Sequence, residues 1–562
     1  MMKMNFSQYK KEWKKISLLT AAMLLSACDG GGGGDSAGVA VNVSSPTDNV
    51  IHADINQNNQ KEFTVSVGDQ SIGAVGQSNA YQVSVTQSNP NAGFTVDLGT
   101  CAQTISNGQS CQFSLSYAPT SDAQYNQQDT LTISVGGTIQ TITVKGDQGQ
   151  DFIVFGDSLS DAGVQDQLAA LVNGLSTLSQ GAFPAWPTVS GTSNEKSATY
   201  TTPGGNVWVT DLAKLVGASD SVALPNNNHY MQPIKVAYAK WYDQVNPLLQ
   251  FFKISLDTES KKLTGNNYAQ GGATTTCAGI GLVLPQSTFS SLKETPYYPP
   301  GNVPLYIPSP IGPIPQVNGQ PAYSCPKASD ADLQPVYDQL ENYNQIDSYL
   351  QTMPFNGPTG QYQADPDKIY ILWGGANNLF LEVAKQPTPS AAEVAQVMTQ
   401  AAGDIAYDVQ YLAAHGAKKF VVLFLPNIGL TPLAIAANQQ SALEKASVAY
   451  NTALSNMLGA LQKQDSSIKI VPVDVFNLMN DMVANYEMSA LGKTYQFDDV
   501  TTPACIQASE TGNPLAALTN SALLCTPQAD NKKHLFEDTV HPTAETHQVI
   551  AAKIAKAMEA FN

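Results

Sequence analysis

The feature that most constrains this chain is a change of hydrophobic period near residue 151. Before it, from about residue 39 to 145, apolar and polar residues alternate in short runs such as 62–67, 112–117 and 130–135, separated by Gly, Asn, Pro and Ser. A period of two presents one apolar face per strand, so several such runs cover each other as stacked sheets, and an antiparallel β-sandwich is predicted. After it, the runs 152–155, 368–372, 419–425 and 468–473 are apolar without alternation. Strands of that kind are buried on both faces. Between and beyond them, 391–414, 442–462 and 544–561 carry apolar residues at helical spacing, the first stopping at Gly416. Strands alternating with helices predict an α/β unit, a mostly parallel sheet with helices on both faces. The stretch 285–321 is dense in Pro, Tyr and Gly and has no period. It reads as a long ordered loop outside the sheet, either an inert insertion or a lid over a site.

A chain of 562 residues exceeds what one core serves, which agrees with two folded units, at 39–148 and 151–562. The 46 acidic against 28 basic side chains give a formal charge of −18, a field that repels phosphate backbones, so nucleic acid is excluded as a partner. At the N-terminus, Lys3, Lys10, Lys11, Lys14 and Lys15 precede an apolar run, 16–27, too short to span a bilayer. Residues 1–27 therefore read as a signal peptide. The run ends in Leu25-Ser26-Ala27-Cys28, which resembles the lipobox of bacterial lipoproteins. That resemblance implies a diacylated Cys28 as mature N-terminus, a tether at 28–38 and a lipid anchor in the bacterial cell envelope. Asp29 resembles an inner-membrane retention signal, whereas Gly30 to Gly34 resemble the tether of surface lipoproteins and favour the outer membrane or cell surface.

Six further cysteines stand in a compartment that permits disulfides. Of fifteen possible connectivities, sequence proximity selects Cys101–Cys111, Cys277–Cys325 and Cys505–Cys525. No Cys/His cluster has metal-ligand spacing, so neither a metal nor any other cofactor is expected.

Two places carry chemistry. Ser158 lies in Phe155-Gly156-Asp157-Ser158-Leu159-Ser160, just after the first predicted strand of the α/β unit, where a strand-to-helix turn lifts its hydroxyl to the carboxyl edge of the sheet. Asp538-Thr539-Val540-His541-Pro542 places a carboxylate three residues before an imidazole, so that one turn sets the carboxylate on one ring nitrogen and leaves the other for a serine. A competing Gly34-Asp35-Ser36-Ala37-Gly38 matches a G-x-S-x-G elbow but lies in the glycine tether, without the strand and helix that motif needs. His52, His229, His415, His534 and His547 have no partner at readable spacing and are expected as surface or loop residues.

Gly156-Asp157-Ser158-Leu159, Asn267 to Ala273, Gly375-Ala376-Asn377 and Asp538 to Pro542 occur in the order of the four sequence blocks of the GDSL, or SGNH, hydrolases, and the resemblance runs from about Phe152 to the C-terminus. It implies a flavodoxin-like sandwich and hydrolysis or transfer of acyl esters. It further implies Ser158 as nucleophile and first oxyanion donor, Gly272 (or adjacent Gly271) and Asn377 as the other donors, His541 as base and Asp538 as its partner. The third block usually reads Gly-x-Asn-Asp, and Asn378 here replaces the final Asp, which puts the hydrogen bonding that orients Asn377 in question. The segment from Cys101 to Pro119, with its Gly108-Gln109-Ser110-Cys111 turn, resembles the Ig-like modules of bacterial envelope proteins and implies a spacer or binding module.

The expected function is therefore a serine ester hydrolase of esterase, lipase or lysophospholipase type, acting on acyl esters that include lipid. The alternatives are an acyltransferase or polysaccharide O-deacetylase on the same residues, or a non-catalytic envelope adhesin. The sequence leaves acyl-chain length and oligomeric state open.

Overall fold

The computed structural model describes residues 40–68, 80–163, 200–226, 265–284, 303–327, 343–507, 525–527 and 533–561, apart from short breaks within these ranges. The expected signal peptide 1–27, Cys28, the tether 28–38, Ser36 and His229 lie outside the described residues. Among the described residues, no helix is long and apolar enough to cross a membrane.

The alternating runs become β1 (Val41–Ser44), β2 (Val50–His52), β3 (Asn59–Val67), β4 (Val83–Gln87), β5 (Phe94–Asp97), β6 (Ser110–Tyr117), β7 (Gln128–Val135) and β8 (Thr138–Asp147). They form two four-stranded sheets, ordered β1-β3-β6-β5 and β2-β8-β7-β4. Inward side chains from both sheets, including Phe63, Val65, Phe113, Leu115, Leu131 and Ile133, share one core, and the Phe63 and Phe113 rings stack with centroids 5.1 Å apart. The Cys101–Cys111 disulfide is formed inside that core. The sheets are not wholly antiparallel as expected. β2 pairs parallel to β8, because both segments run toward the junction with the α/β part, where His52 meets Asp147.

The second part begins with β9 (Phe152–Gly156) and continues through α1 (Trp208–Leu215), α2 (Gln345–Leu350), β10 (Ile369–Trp373), α3 (Ala376–Val383), α4 (Ala391–Ala414), β11 (Lys419–Leu423), α5 (Gln440–Gln464), β12 (Lys469–Val473), α6 (Val475–Asn485) and α7 (Ala544–Met558). The four strands lie side by side in the order β9-β10-β11-β12, all parallel, and Asn267 adds a parallel bridge beside Val154 on the outer flank of β9. Alternate side chains go to opposite faces. Val154, Ile371 and Leu423 pack with α1, α6 and α7, while Phe155, Leu372 and Val422 pack with α2, α4 and α5. Two covered faces explain why these strands read as unbroken apolar runs. α4 starts on a capping box, in which Ser390 Oγ accepts from Glu393 N–H and Ser390 N–H donates to the Glu393 carboxylate, and it ends before Gly416 at φ +111°.

The 285–321 segment departs from a plain loop. Val303–Tyr306 pairs antiparallel with Leu282–Leu284, and Gln316–Val317 with Gln320–Pro321. Between those pairs, Ile311 and Gly312 donate their N–H groups to the carbonyls of Thr274 and Thr275 (both 3.0 Å), and Ile311 is buried. Pro and Gly conceal this strap because its order comes from another segment and not from a local period. Cys277 and Cys325 are disulfide-bonded at its ends. The strands Cys505–Gln507 and Cys525–Pro527 pair, but the side chains of Cys505 and Cys525 lie outside the described residues. The four described histidines outside the DxxH pair are buried, not superficial: His52, His415 and His534 bond backbone carbonyls through Nδ1, and His547 Nδ1 accepts from Trp208 N–H.

Candidate active site

Gly156 ends β9 where no side chain fits, since a Cβ there would stand 2.5 Å from Trp373 O. Both polar groups of its peptide are taken by the Gln345 amide, at 2.8 Å each. The chain then makes a single turn, with the N–H groups of Ser160 and Asp161 donating to Asp157 O, and this turn raises Ser158 at the carboxyl edge. From the other end of the sequence, Glu537 N–H closes on His541 O (2.8 Å), forming the tight loop that leads into α7.

These two loops bring the three residues together. His541 Nε2 lies 2.8 Å from Ser158 Oγ, and His541 Nδ1 lies 2.7 Å from Asp538 Oδ2. The other Asp538 oxygen accepts the N–H groups of Val540 (2.8 Å) and His541 (2.7 Å). Asp538 is fully buried, while His541 and Ser158 keep 6% and 8% exposure, so the chain of hydrogen bonds runs from a dry carboxylate to an accessible hydroxyl. Such a chain can take a proton from the serine as it attacks a carbonyl and return it to a leaving group.

The segment after Asn267 lies along the serine turn. Gln270 N–H donates to Gly156 O (3.1 Å) and Gly271 N–H to Asp161 Oδ2 (2.8 Å). Of the two glycines left open by sequence, Gly271 thus has its amide committed to a carboxylate. Gly272, at φ +82°, is half-exposed between buried neighbours. Among the described residues, the N–H groups of Ser158 and Gly272 donate to no protein acceptor. Asn377, in the first turn of α3, donates through Nδ2 to Ala273 O (2.8 Å), which occupies one of its two amide hydrogens and joins it to the same segment.

Sequence reasoning did not single out Tyr200. Its ring lies against His541, centroids 4.9 Å apart, and its hydroxyl stands where a Gly271 Cβ would be. Nor did it single out Trp208, whose Nε1–H donates to Ser160 Oγ (3.2 Å). Nothing local marks either residue, because each meets the site only through tertiary packing. Two buried carboxyls flank the three residues. Burial pushes Asp157 up to about 7 against the pull of the Leu159 N–H, and Glu537 is likewise pushed up to about 7 by burial, its hydrogen bond from Thr202 opposing. Among the described residues, no group of His, Cys, Asp and Glu could hold a metal ion.

Residues 152–554 match the model of the GDSL-like lipase/acylhydrolase family. The chain belongs to that family. An uncharacterised protein of the trpE–trpG intergenic region of Pseudomonas putida is 29% identical over 191 residues, 34% of this chain and 28% of that protein. Esterase EstA of Pseudomonas aeruginosa is 30% identical over 189 residues, 34% and 26% respectively. A phosphatidylcholine-sterol acyltransferase of Aeromonas hydrophila is 24% identical over 247 residues, 40% of this chain and 68% of that protein. The chain thus spans about a quarter of the length of the Pseudomonas relatives it matches. A solved carbohydrate acetylesterase of Xanthomonas citri aligns over 77% of this chain and 68% of its own, but at 11% identity and a TM-score of 0.15 it carries no argument about this GDSL hydrolase.

Proposed function

We propose that this GDSL hydrolase cleaves carboxylic acyl esters through an acyl intermediate on Ser158. The observation that carries the reading is the continuous chain Asp538–His541–Ser158, with bonds of 2.7 and 2.8 Å. In the first half-reaction Ser158 Oγ bonds to the acyl carbon as its proton passes to His541 Nε2. The oxyanion is received by the N–H groups of Ser158 and Gly272 and by the remaining amide hydrogen of Asn377. The bond to the alcohol then breaks as His541 returns the proton to it, and water repeats the sequence to free the acid and the serine. Acyl transfer to a second alcohol would use the same residues, and the Aeromonas hydrophila acyltransferase relative supports that second reading.

The proposed location rests on the N-terminus. The basic head, the short apolar run and Leu25-Ser26-Ala27-Cys28 support export and lipidation at Cys28, with an envelope position at the outer membrane or cell surface. The stacked sheets before β9 then serve as an Ig-like spacer, and lipid acyl esters join small esters as candidate substrates. The test is hydrolysis of short- and long-chain p-nitrophenyl esters by the full chain in mild detergent, beside Ser158→Ala. Loss of activity on the order of a thousandfold or more in the variant is expected. Equal rates would overturn the assignment of the nucleophile.

A further inference from the structure

We infer that Asp404, on the inner face of α4, is a positioning residue that fixes the Gly272 and Asn377 donors through Thr275 and Asn378. The inference rests on the oxyanion roles proposed above.

Thr275 lies three residues beyond Gly272, and Asn378 follows Asn377. The two are joined twice: Thr275 N–H donates to Asn378 Oδ1 (3.1 Å), and Asn378 Nδ2 donates to Thr275 Oγ1 (3.0 Å). The single hydroxyl hydrogen of Thr275 goes to Asp404 Oδ2 at 2.6 Å. The assignment of donors is therefore forced. Thr275 Oγ1 gives its only hydrogen to the carboxylate and can therefore only accept from position 378. An amide at 378 meets both demands, accepting from the backbone and donating to the hydroxyl, whereas a carboxylate there could only accept. Asn378, which departs from the Asp of the usual block, thus matches a carboxylate supplied from α4.

Asp404 is itself held on several sides. Tyr323 donates to Oδ1 at 2.5 Å, and Thr276 makes a second, longer contact with Oδ2 at 3.3 Å. Tyr323 and Thr276 bond each other at 2.8 Å, and their neighbours Cys325 and Cys277 are disulfide-bonded. The carboxylate is 2% exposed, with burial raising its pKa and the three hydroxyls lowering it. Its outer side borders a cleft of about 690 Å³ lined by Tyr323, Gln396, Thr399 and Gln400, which contains none of Ser158, Asp538 or His541. The network thus runs from that cleft to Thr275 and on to Asn378, the residue beside Asn377.

The test exchanges the two groups across the Thr275 hydroxyl. Asn378→Asp leaves that hydroxyl between two carboxylates with one hydrogen to give, and Asp404→Asn, with its oxygen kept on Tyr323, replaces the Oδ2 acceptor of the Thr275 hydroxyl by a donor. Each single variant is expected to lower kcat for p-nitrophenyl butyrate about tenfold to a hundredfold with KM little changed, as small displacements of transition-state donors do. The double variant restores a donor facing an acceptor, and its kcat should return to within about threefold of the parent. Thr275→Ser should keep the parent kcat and Thr275→Val should lose it, which provides a test if Asn378→Asp does not fold. Single variants with parental kcat, or a double variant no faster than the slower single one, would overturn the inference. Parental activity that survives Ser158→Ala would instead refute the oxyanion and nucleophile reading on which it rests.

Discussion

Replacing Asp538 by Asn keeps the shape of the site but dictates a different proton arrangement on His541. Oδ1 of Asp538 accepts two backbone N–H groups, from Val540 and His541, while Oδ2 faces His541 Nδ1. An amide has one oxygen, and the two N–H donors claim it. The NH₂ must then point at Nδ1, so the imidazole has to accept there and carry its hydrogen on Nε2. That hydrogen is directed at Ser158 Oγ, 2.8 Å away, and the ring can no longer take the serine proton. The expected loss in kcat is on the order of 10⁴-fold, as for a wrong-tautomer substitution in a serine triad, equivalent to about 5.5 kcal/mol of barrier. Folding stability should change by less than about 1 kcal/mol, because both buried N–H groups keep an acceptor. Asp538→Ala orphans both and should cost about 1–3 kcal/mol for each. The assay is kcat for a p-nitrophenyl ester across pH, beside urea unfolding of both variants. An Asp538→Asn enzyme within tenfold of the parent would refute the reasoning, since it would mean the carboxylate does not set the tautomer.

Glu537, pushed up to about 7 by burial, holds its proton more tightly folded than unfolded. Its contribution to stability is therefore complete below about pH 4.5 and is lost as pH rises to about 7, a change on the order of 3 kcal/mol. Glu537→Gln should flatten calorimetric Tm against pH in that window and leave the variant more stable than the parent above it; parallel curves would count against the buried-carboxyl account. In Gly271→Ala the new Cβ would stand 2.1 Å from the Tyr200 hydroxyl and 2.3 Å from its ring. The ring must then leave His541, and kcat should fall on the order of tenfold or more. Unchanged turnover would show that Tyr200 does not form the wall against which the imidazole is held.

What could be read from the sequence divides by the range of the interaction. The four sheet strands were legible to within two residues, and α4 at its observed bounds, because Ser390, Glu393 and Gly416 mark its ends locally. Ser158, Asn377 and the Asp538–His541 pair stood out because each lies in a short motif. The preference for Gly272 over Gly271 came from the family resemblance and from no local signal. Its structural ground is Asp161, a residue 110 positions away whose carboxylate takes the Gly271 amide. Asp404, Tyr200 and the strap at Ile311 and Gly312 were hidden for the same reason. Each is defined by a partner distant in sequence, and in a helical period Asp404 looks like any polar residue. The histidines misled in the other direction. A rare titratable residue without a nearby partner reads as exposed, yet His547 is buried as a neutral ring, its pKa pushed down to about 3 by burial.

The eight residues of α1 begin at Trp208, whose indole reaches Ser160, and lead to a carboxyl end that rests on the β-sheets. There Lys214 O accepts from Asn59 Nδ2 at 2.8 Å, and Gly217 passes so close to His52 O that a Cβ would stand 1.8 Å from it. Asn59 starts β3, and Ala40 is bonded at its far end through Gly68, roughly 27 Å of strand away. One helix thus has the serine turn at its start and the β-sheets at its end, so a shift of β3 against α1 would reach Ser160 through a single element.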